Sequence, residues 1–465
     1  MNVKGQPRDG LIGATLGFFI GFAAVALFGP TANRLNVELR LAPVAIGFLV
    51  AMPSLSGSLL RIPFAAWVDI TGGRKPFLIL LGLSIVGMAG LTLLLFLVRE
   101  SDMTRSMLPL LFLLGLLCGC GIATFSVGTA QVSYWFPRAQ QGSSLGTYAG
   151  VGNLAPGIFS LLLPIALEVL GLGGSYLVWL LFLIVGTALY YLLGRNSPYF
   201  QLVADGHTPQ DARIEAAKLG QEIFPTGRLK DSLLRSARTS KTWLLVAIYF
   251  TTFGGFLALT AWFPTYWKSL FNVNTVTAGA LAALYSILAS LCRVGGGALS
   301  DRVGGRRVLQ FALAVTGVGA ILLDLSHNFA LCVAAEVLMA AGMGTANAGV
   351  FKLAPQAVPE AVGGVSGWVV VWARSAVSCS RPSWARSSPP RALPATHTGS
   401  SCLSSSPRSR CSWPVSSNSP RLLHRSRGRQ HETDRALTSW RRSLAEESCG
   451  VQRLLSCEAF WLTKR

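Results

Sequence analysis

The chain has 465 residues, of which 51% are hydrophobic and only 13% are charged. Soluble domains carry about 25% charged residues, so this composition excludes an ordinary soluble protein and indicates a membrane protein. The formal net charge of +20 would suggest a nucleic-acid partner, but 16 of the 40 lysines and arginines lie in residues 371–465. We therefore expect the chain to bind no nucleic acid.

Apolar segments follow one another along the chain, and several reach the ~20 residues that span a bilayer as a helix. They predict six helices, a polar interval and at least five more helices. The predicted helices are residues 11–29, 43–68, 76–98, 107–134, 143–168, 173–193, 242–268, 275–299, 306–324, 329–352 and 361 onward. The first is expected to be a membrane helix and not a cleaved signal peptide, because no small-residue cleavage site follows it.

This pattern predicts an all-α membrane protein with two halves. Residues 1–193 are the N-terminal six-helix half, 194–241 a linker with a short amphipathic helix near 209–221, and 242–370 the C-terminal half. Residues 371–465 are an irregular tail rich in Ser, Arg and Pro. Basic residues near helix ends favour the cytoplasmic side, so we expect the linker and the N-terminus to lie in the cytoplasm.

Two stretches of the sequence repeat one pattern at a separation of 232 residues. In each, an apolar helix contains a single arginine (Arg61 or Arg293), and an aspartate (Asp69 or Asp301) follows eight residues later, before a Gly-Gly-basic-basic turn. Internal repeats are typical of transporters. At 1.5 Å per residue, eight residues place each arginine about 12 Å from its helix end, near the middle of a hydrocarbon core about 30 Å thick.

The two arginines are predicted to face each other and bind a small anion. An arginine at this depth costs at least ~2.5–3.5 kcal/mol, which favours a functional role over the alternative of a structural arginine bonded to a helix-end carbonyl or reaching the membrane surface. The guanidinium group is planar, permanently charged and presents paired donors, so it matches a flat trigonal oxyanion.

The turns that follow the two aspartates resemble the loop signature of the major facilitator superfamily. This resemblance implies a fold of two six-helix halves, in which these turns latch helices together during the transport cycle. The latch residues it implies are Asp69, Gly73, Arg74, Asp301, Gly305 and Arg306.

The stretch from Thr124 to Asn153 resembles helices 4 and 5 of the nitrate/nitrite porter family within that superfamily. The resemblance implies a transporter of nitrate or nitrite that has no cofactor or metal, is a monomer and lies in the plasma (inner) membrane. The implied substrate-binding residues are Arg61, Arg293, Asn153, Tyr249, Phe125 and Phe253. The implied helix-packing glycines are Gly150, Gly152 and Gly157.

The sequence departs from this family after Val369, where the apolar pattern of the eleventh helix gives way to the Ser/Arg-rich tail. We interpret the change as the loss of one nucleotide near codon 369, so that helices 11 and 12 are disrupted. A shifted reading of the following codons permits the glycine-rich sequence GGLGALGGF. The alternative is a genuine basic tail.

Two alternatives to nitrate transport remain open: an exporter of another small solute, and a non-functional truncated remnant. An enzyme is not predicted, because no nucleophile–base pair or metal-ligand spacing occurs in the membrane part. Glu336 is either a proton-coupling carboxylate or, as we prefer, an acid near the external end of its helix. Since no acidic residue is expected in the central cavity, anion exchange is favoured over obligatory proton symport.

Overall fold

The chain consists of α-helices joined by short connections wherever the computed structural model describes it, namely at residues 3–23, 43–98, 103–225 and 228–372. The helices are α1 (Pro7–Ala23), α2 (Pro43–Leu59), α3 (Arg61–Thr71), α4 (Arg74–Leu97), α5 (Leu108–Gly119), α6 (Thr124–Trp135), α7 (Gln141–Gly152), α8 (Leu154–Leu193), α9 (Pro198–Ala204), α10 (Pro209–Lys218), α11 (Leu229–Arg238), α12 (Ser240–Tyr249), α13 (Gly255–Phe271), α14 (Thr275–Val303), α15 (Gly305–Leu325), α16 (Phe329–Ala357) and α17 (Val362–Val371). Contacts group Met1–Ser378 into one unit, which contains every described residue, and Cys379–Arg465 into another.

Among the described residues, seven helical segments are long and apolar enough to cross a membrane: Arg74–Leu97, Arg105–Trp135, Ile165–Leu193, Ser240–Thr260, Thr277–Val303, Gly305–Leu325 and Phe329–Ala357. No β-strand occurs in the described residues. The predicted all-α membrane fold is therefore confirmed. The predicted disruption of helices 11 and 12 and the tail falls mostly beyond Trp372, outside the described residues.

The predicted helix boundaries agree with the structure to within a few residues, and the differences have local causes. The first helix begins at Pro7, four residues before the predicted start, and its predicted end lies outside the described residues. The second predicted helix is divided into α2 and α3 at Leu60. Pro63 has no N–H to donate to the carbonyl of Leu59, so the helix lacks one backbone hydrogen bond at this point.

The fifth and sixth predicted helices meet at Gly171, whose φ of 67° and ψ of −173° interrupt the long α8. Glycine is the residue type that adopts a positive φ without steric cost. The predicted break between residues 168 and 173 therefore coincides with a glycine whose positive φ interrupts the helix.

The linker forms α9, α10 and α11, of which only the helix near 209–221 was predicted. Thr208 begins α10 by accepting a hydrogen bond from the backbone N–H of Asp211 on its side-chain oxygen, as a helix-capping threonine does. The short α11 lies against α3 and α17. The linker therefore packs on the ends of membrane helices from both halves.

Candidate functional site

Arg61 and Arg293 are almost completely buried, with 1% and 2% of their surface exposed. Arg61 lies at the start of α3 and donates from Nη1 to the carbonyl oxygen of Val370, 3.2 Å away on α17. Arg293 lies in the middle of α14 and donates from Nη2 to the hydroxyl of Tyr249, also at 3.2 Å. Each guanidinium is therefore held by a group from another helix, and neither reaches a membrane surface.

The ring of Phe125, on α6, lies beside both arginines. The guanidinium carbon is 5.7 Å from the ring centroid for Arg61 and 5.6 Å for Arg293. The sum of these distances is the upper limit on the separation of the two cations. The two arginines, which are 232 residues apart in sequence, thus meet at one aromatic side chain.

Aromatic rings surround Arg293 on further sides. Its guanidinium carbon lies 5.8 Å from the Tyr249 ring, 5.5 Å from Phe253 and 5.1 Å from Phe351. The rings of Tyr249 and Phe253 stack at 4.9 Å, and Phe125 stacks on Phe253 at 6.2 Å. Aromatic faces attract a cation by about 0.5–2 kcal/mol each, so they stabilise the guanidinium where water is excluded.

The backbone beside Arg293 is also unusual, because residues Phe250–Gly254 between α12 and α13 form a π-helical turn. Such turns occur frequently at functional sites. The turn presents Thr252, whose hydroxyl donates to the side-chain oxygen of Asn347 on α16 at 2.8 Å. This hydrogen bond joins the turn to α16.

The predicted glycines let helices approach closely. A side chain at Gly150 would meet Val294 and the carbonyl of Ser290, both on α14, whereas one at Gly152 would overlap the ring of Phe18 on α1. Their predicted packing role therefore agrees with their surroundings. Gly157 lies in α8, but its surroundings lie outside the described part of the structure.

Asn153, predicted to contact the anion, is half-buried at the junction of α7 and α8. Its backbone N–H continues the helix by donating to Ala149. The hydrogen bonds described here do not join its side chain to either arginine. Five of the six predicted binding residues therefore lie in one cluster, namely Arg61, Arg293, Tyr249, Phe125 and Phe253.

Asp69, at the end of α3, accepts hydrogen bonds from three other elements. Its Oδ1 accepts from Tyr134 on α6 at 2.6 Å and from the backbone N–H of Gly363 on α17 at 2.9 Å. Its Oδ2 accepts from Ser232 on α11 at 2.5 Å and, more weakly, from the backbone N–H of Gly364 at 3.4 Å. A carboxylate at a helix N-terminus is stabilised by free N–H groups and the helix dipole. Asp69 therefore connects its own half to α17 and to the linker.

Asp301 makes the equivalent connection in the opposite direction. Its two carboxylate oxygens accept from the backbone N–H groups of Gly142 and Ser143, at the start of α7, at 2.8 and 2.6 Å. Lys352 of α16 lies 2.6 Å from the same carboxylate and also donates to the carbonyl oxygen of Arg138 at 2.6 Å. Each repeated aspartate thus binds the first N–H groups of a helix in the other half.

Of the other four predicted latch residues, three contact groups of their own half. The Arg74 side chain donates to the carbonyl of Tyr191 at 2.8 Å, and Gly73 packs against Gln131. Gly305 packs against Lys352, and Arg306 is exposed at the start of α15. Of the six predicted latch residues, Asp69 and Asp301 therefore join the two halves by hydrogen bonds.

Several residues at these contacts were not predicted from the sequence. They are Phe351 beside Arg293, Lys352 beside Asp301, and Tyr134 and Ser232 beside Asp69. Lys352 had a signal, because it is a lone cation in an apolar helix. The other three are ordinary residue types for their helices, and only the folded chain brings them near their partners.

Glu336, which the sequence led us to interpret as an acid near the external end of its helix, is buried within the C-terminal half. The side chain lies seven residues into α16 and is 1% exposed. The helix that carries it, α16, packs against α13, α14 and α15. No group of three or more His, Cys, Asp or Glu side chains that could hold a metal ion occurs in the described residues.

The long apolar helices indicate a polytopic membrane protein. Residues 14–379 match the family model of the Major Facilitator Superfamily. The chain therefore belongs to this superfamily, and it is a multi-pass membrane transporter and not an enzyme.

Curated relatives extend this assignment. The chain is 29% identical to a probable nitrate/nitrite antiporter, NarK1 of Thermus thermophilus, over 77% of this chain and 80% of the relative. It is 26% identical to the nitrite extrusion protein of Bacillus subtilis, over 76% and 83%. It is 29% identical to the probable nitrate/nitrite transporter NarK2 of Mycobacterium tuberculosis, over 79% and 85%. The resemblance drawn from the motifs is confirmed as a similarity to these relatives.

Solved structures show the same fold. The proton:xylose symporter XylE bound to 6-bromo-6-deoxy-D-glucose matches with a TM-score of 0.58 at 14% identity, over 80% of this chain and 87% of that one. The human organic anion transporter MFSD10 matches with a TM-score of 0.54 at 14% identity, over 80% and 92%. At this level of identity the likeness concerns the fold alone.

Proposed function

We propose that the protein carries nitrate, nitrite or both across the plasma membrane by alternating access, and that Arg61 and Arg293 bind the anion. The observation that carries this proposal is the meeting of two buried guanidinium groups, one from each repeat, at Phe125. The names of the curated relatives, which refer to nitrate and nitrite, support this substrate class.

The chemistry of the site suits a small, flat anion. Each guanidinium offers paired, coplanar donors that match the oxygens of a trigonal or bent oxyanion. The rings of Phe125 and Phe253 can cover the faces of such an anion, while the Tyr249 hydroxyl, already bonded to Arg293, can donate to its edge. Asn153 is the sixth member of the proposed site and would join it through a movement of α7.

Electrostatic repulsion gives a reason for anion exchange. Both guanidinium carbons lie within 5.7 Å of one ring centroid, so at an effective dielectric constant of 20 the two charges repel by at least about 1.5 kcal/mol. A bound anion adds one attraction to each guanidinium, and together these offset the repulsion. The loaded carrier therefore passes through the closed state more readily than the empty one, which favours exchange of one anion for another.

The contacts of the two aspartates supply a latch for the transport cycle. Asp69 binds the start of α17 and Asp301 binds the start of α7, so both contacts hold the two halves together at the end of the bundle where the linker lies. Release of both contacts would open this end. By the distribution of basic residues, we assign this end and the N-terminus to the cytoplasm, and we expect a monomer.

The test uses the full 465-residue chain reconstituted in liposomes loaded with nitrite, with uptake of labelled nitrate as the readout. Arg61→Ala and Arg293→Ala should each abolish exchange, because the anion would lose the hydrogen-bond donors and the positive charge of one of its two arginines. Arg238→Ala, which removes an exposed arginine from α11, is the control and should exchange normally.

Near-normal exchange by either arginine variant would refute the anion site. Competition separates the substrate classes: nitrite should compete with labelled nitrate, whereas an exporter of organic solutes would be inhibited by organic compounds and not by nitrite. A chain that inserts into the membrane but transports neither anion would be the truncated remnant.

A further inference from the structure

A second buried polar site lies within the C-terminal half, away from the arginines. Glu336 is 1% exposed, and both of its carboxyl oxygens are buried without a hydrogen-bond partner among the described residues. The nearby indole Nε1 of Trp267 is also buried and unpaired. The indole faces the carboxyl group, but the two do not reach hydrogen-bonding geometry.

The surroundings of Glu336 contain no compensating cation. The titratable groups around it are Tyr266 on α13, Tyr285 on α14 and Cys332 on its own helix, and Asp324 of α15 faces Tyr266. The Tyr285 hydroxyl is bonded to the sulfur of Met343 and the Tyr266 hydroxyl to the sulfur of Cys332. Within the described chain no Lys, Arg or His is placed to form an ion pair with Glu336.

An ionised carboxylate in these surroundings would lack a counter-ion, and the donor that faces it is the indole N–H of Trp267. Removing such a charge from water is so unfavourable that the group takes up a proton instead. The neutral acid also leaves its polar atoms unpaired, which destabilises the fold. A buried carboxyl group of this kind is a candidate for reversible protonation.

One helical segment connects this carboxyl group to the arginine site. Residues 240–271 run continuously through α12, the π-helical turn and α13. Tyr249 and Phe253, at one end, contact Arg293, whereas Trp267, near the other end, covers Glu336. Pro264 lies between them inside α13 and removes one hydrogen bond of that helix, so α13 has a point at which it can bend and uncover Glu336.

We propose that Glu336 is the proton-binding site of the carrier, and that its protonation is coupled to anion binding through the segment 240–271. While α13 covers Glu336, the side chain is –COOH. When α13 bends at Pro264 and admits water, the O–H bond breaks, the proton passes to water and –COO⁻ remains. No other bond changes. This inference rests on the proposed function, because the coupled ion is the anion held at Arg61 and Arg293.

Two consequences follow for transport. One proton that accompanies one nitrate makes net uptake electrically neutral, so a pH gradient can drive uptake without an exchanging anion. Exchange itself needs no change of protonation, because Glu336 stays neutral in both loaded states. Coupling between two sites is reciprocal, so acid pH should also increase the affinity for nitrate.

The test compares the full chain with Glu336→Gln, which imitates the protonated acid. In liposomes with no internal anion substrate, an external pH below the internal pH should drive nitrate uptake by the unmodified chain, together with acidification detected by an internal pH dye. Glu336→Gln should lose both signals and keep nitrate/nitrite exchange. Asp324→Asn, which removes an exposed acid from the neighbouring α15, should retain all three activities.

The outcomes separate this inference from the proposed function. If the unmodified chain exchanges nitrate for nitrite but shows no response to the pH gradient, or if Glu336→Gln responds as the unmodified chain does, the proton site is refuted and the anion site stands. If exchange itself is absent, the proposed function fails.

A second measurement does not depend on transport. Infrared difference spectra of the purified chain between acid and alkaline buffer should contain a protonated-carboxyl band that Glu336→Gln lacks and Asp324→Asn keeps. Its absence from the unmodified chain would overturn the proposal.

Discussion

Lys352 and Asp301 form a shielded ion pair, whereas Arg235 and Glu360 form an exposed one. The side chains of the first pair are 8% and 14% exposed, and those of the second are 56% and 59% exposed. Exposed pairs contribute about 0–1 kcal/mol, but removal of one partner from a buried pair leaves an unpaired charge and costs about 3–5 kcal/mol. The two ion pairs therefore differ greatly in how much they stabilise the folded protein.

Asp301→Asn should lower the free energy of unfolding by about 3 kcal/mol, because Lys352 would remain charged and lose its carboxylate. Glu360→Gln should change it by less than about 1 kcal/mol. Thermal unfolding of the purified variants in detergent measures both. Equal, small effects of the two substitutions would contradict the structural role assigned to Lys352.

At the scale of single residues, the sequence reveals charged residues that stand alone in apolar segments. Arg61 and Arg293 were found because a lone arginine in an apolar helix needs a reason to be there. Lys352 is the same kind of signal and could have been found. Ser232 could not, because a serine in a polar linker is ordinary until α11 is folded against Asp69.

At the scale of helices, glycines four residues apart create two matching contacts between the halves. On α7, a side chain at Gly142 or Gly146 would meet the backbone of Gly297 or Arg293 on α14. On α17, a side chain at Gly363 or Gly367 would meet the backbone of α3. Small residues at this spacing let helix backbones touch, so these faces are where the halves come closest.

Gly146→Ala should reduce transport, because its Cβ would lie 2.8 Å from the carbonyl oxygen of Arg293 and push α7 away from α14. Gly295→Ala is the matched control, since a Cβ there has nothing within 4 Å. It should transport normally and gain a little stability from the higher helix propensity of alanine. The nitrate-exchange assay measures both, and equal rates would show that the close contact is not needed.

Helix positions were predictable because apolar length alone determines which segments can cross a membrane. The division at Leu60 was not predicted, although Pro63 was visible in the sequence. Helices α9 and α11 were also missed, since short helices in a polar linker form mainly through contacts with the rest of the protein. Gly142, Gly146 and Gly150 follow one another at intervals of four residues, but only Gly150 was predicted from the sequence to pack helices together.

At the scale of the whole molecule, the two repeats place equivalent contacts around a common centre. Asp301 binds the backbone of Gly142 as Asp69 binds that of Gly363, and Gly146 and Gly367 follow four residues later in each helix. One more step of four pairs Gly150 with Val371.

This pairing gives a structural reason to expect glycine at position 371 in the intact family pattern. Sequencing the gene across codons 365–375 should reveal a missing nucleotide, and its restoration should place glycine at positions 370 and 371. The restored chain should insert into the membrane in larger amounts than the 465-residue chain, measured by expression. An unbroken reading frame, shared by close relatives with the same Ser/Arg tail, would refute this interpretation.

The π-helical turn at Phe250–Gly254 contains one residue more than an α-helical turn needs. A helix that expels this surplus residue rotates everything on one side of it by about 100°, the angle of one residue. Such a rotation would swing the Tyr249 hydroxyl out of reach of Arg293 while Trp267 keeps its place, or the reverse. The π-helical turn thus lets one half of this membrane helix rotate relative to the other. Each half can then change its contacts while the helix stays wound.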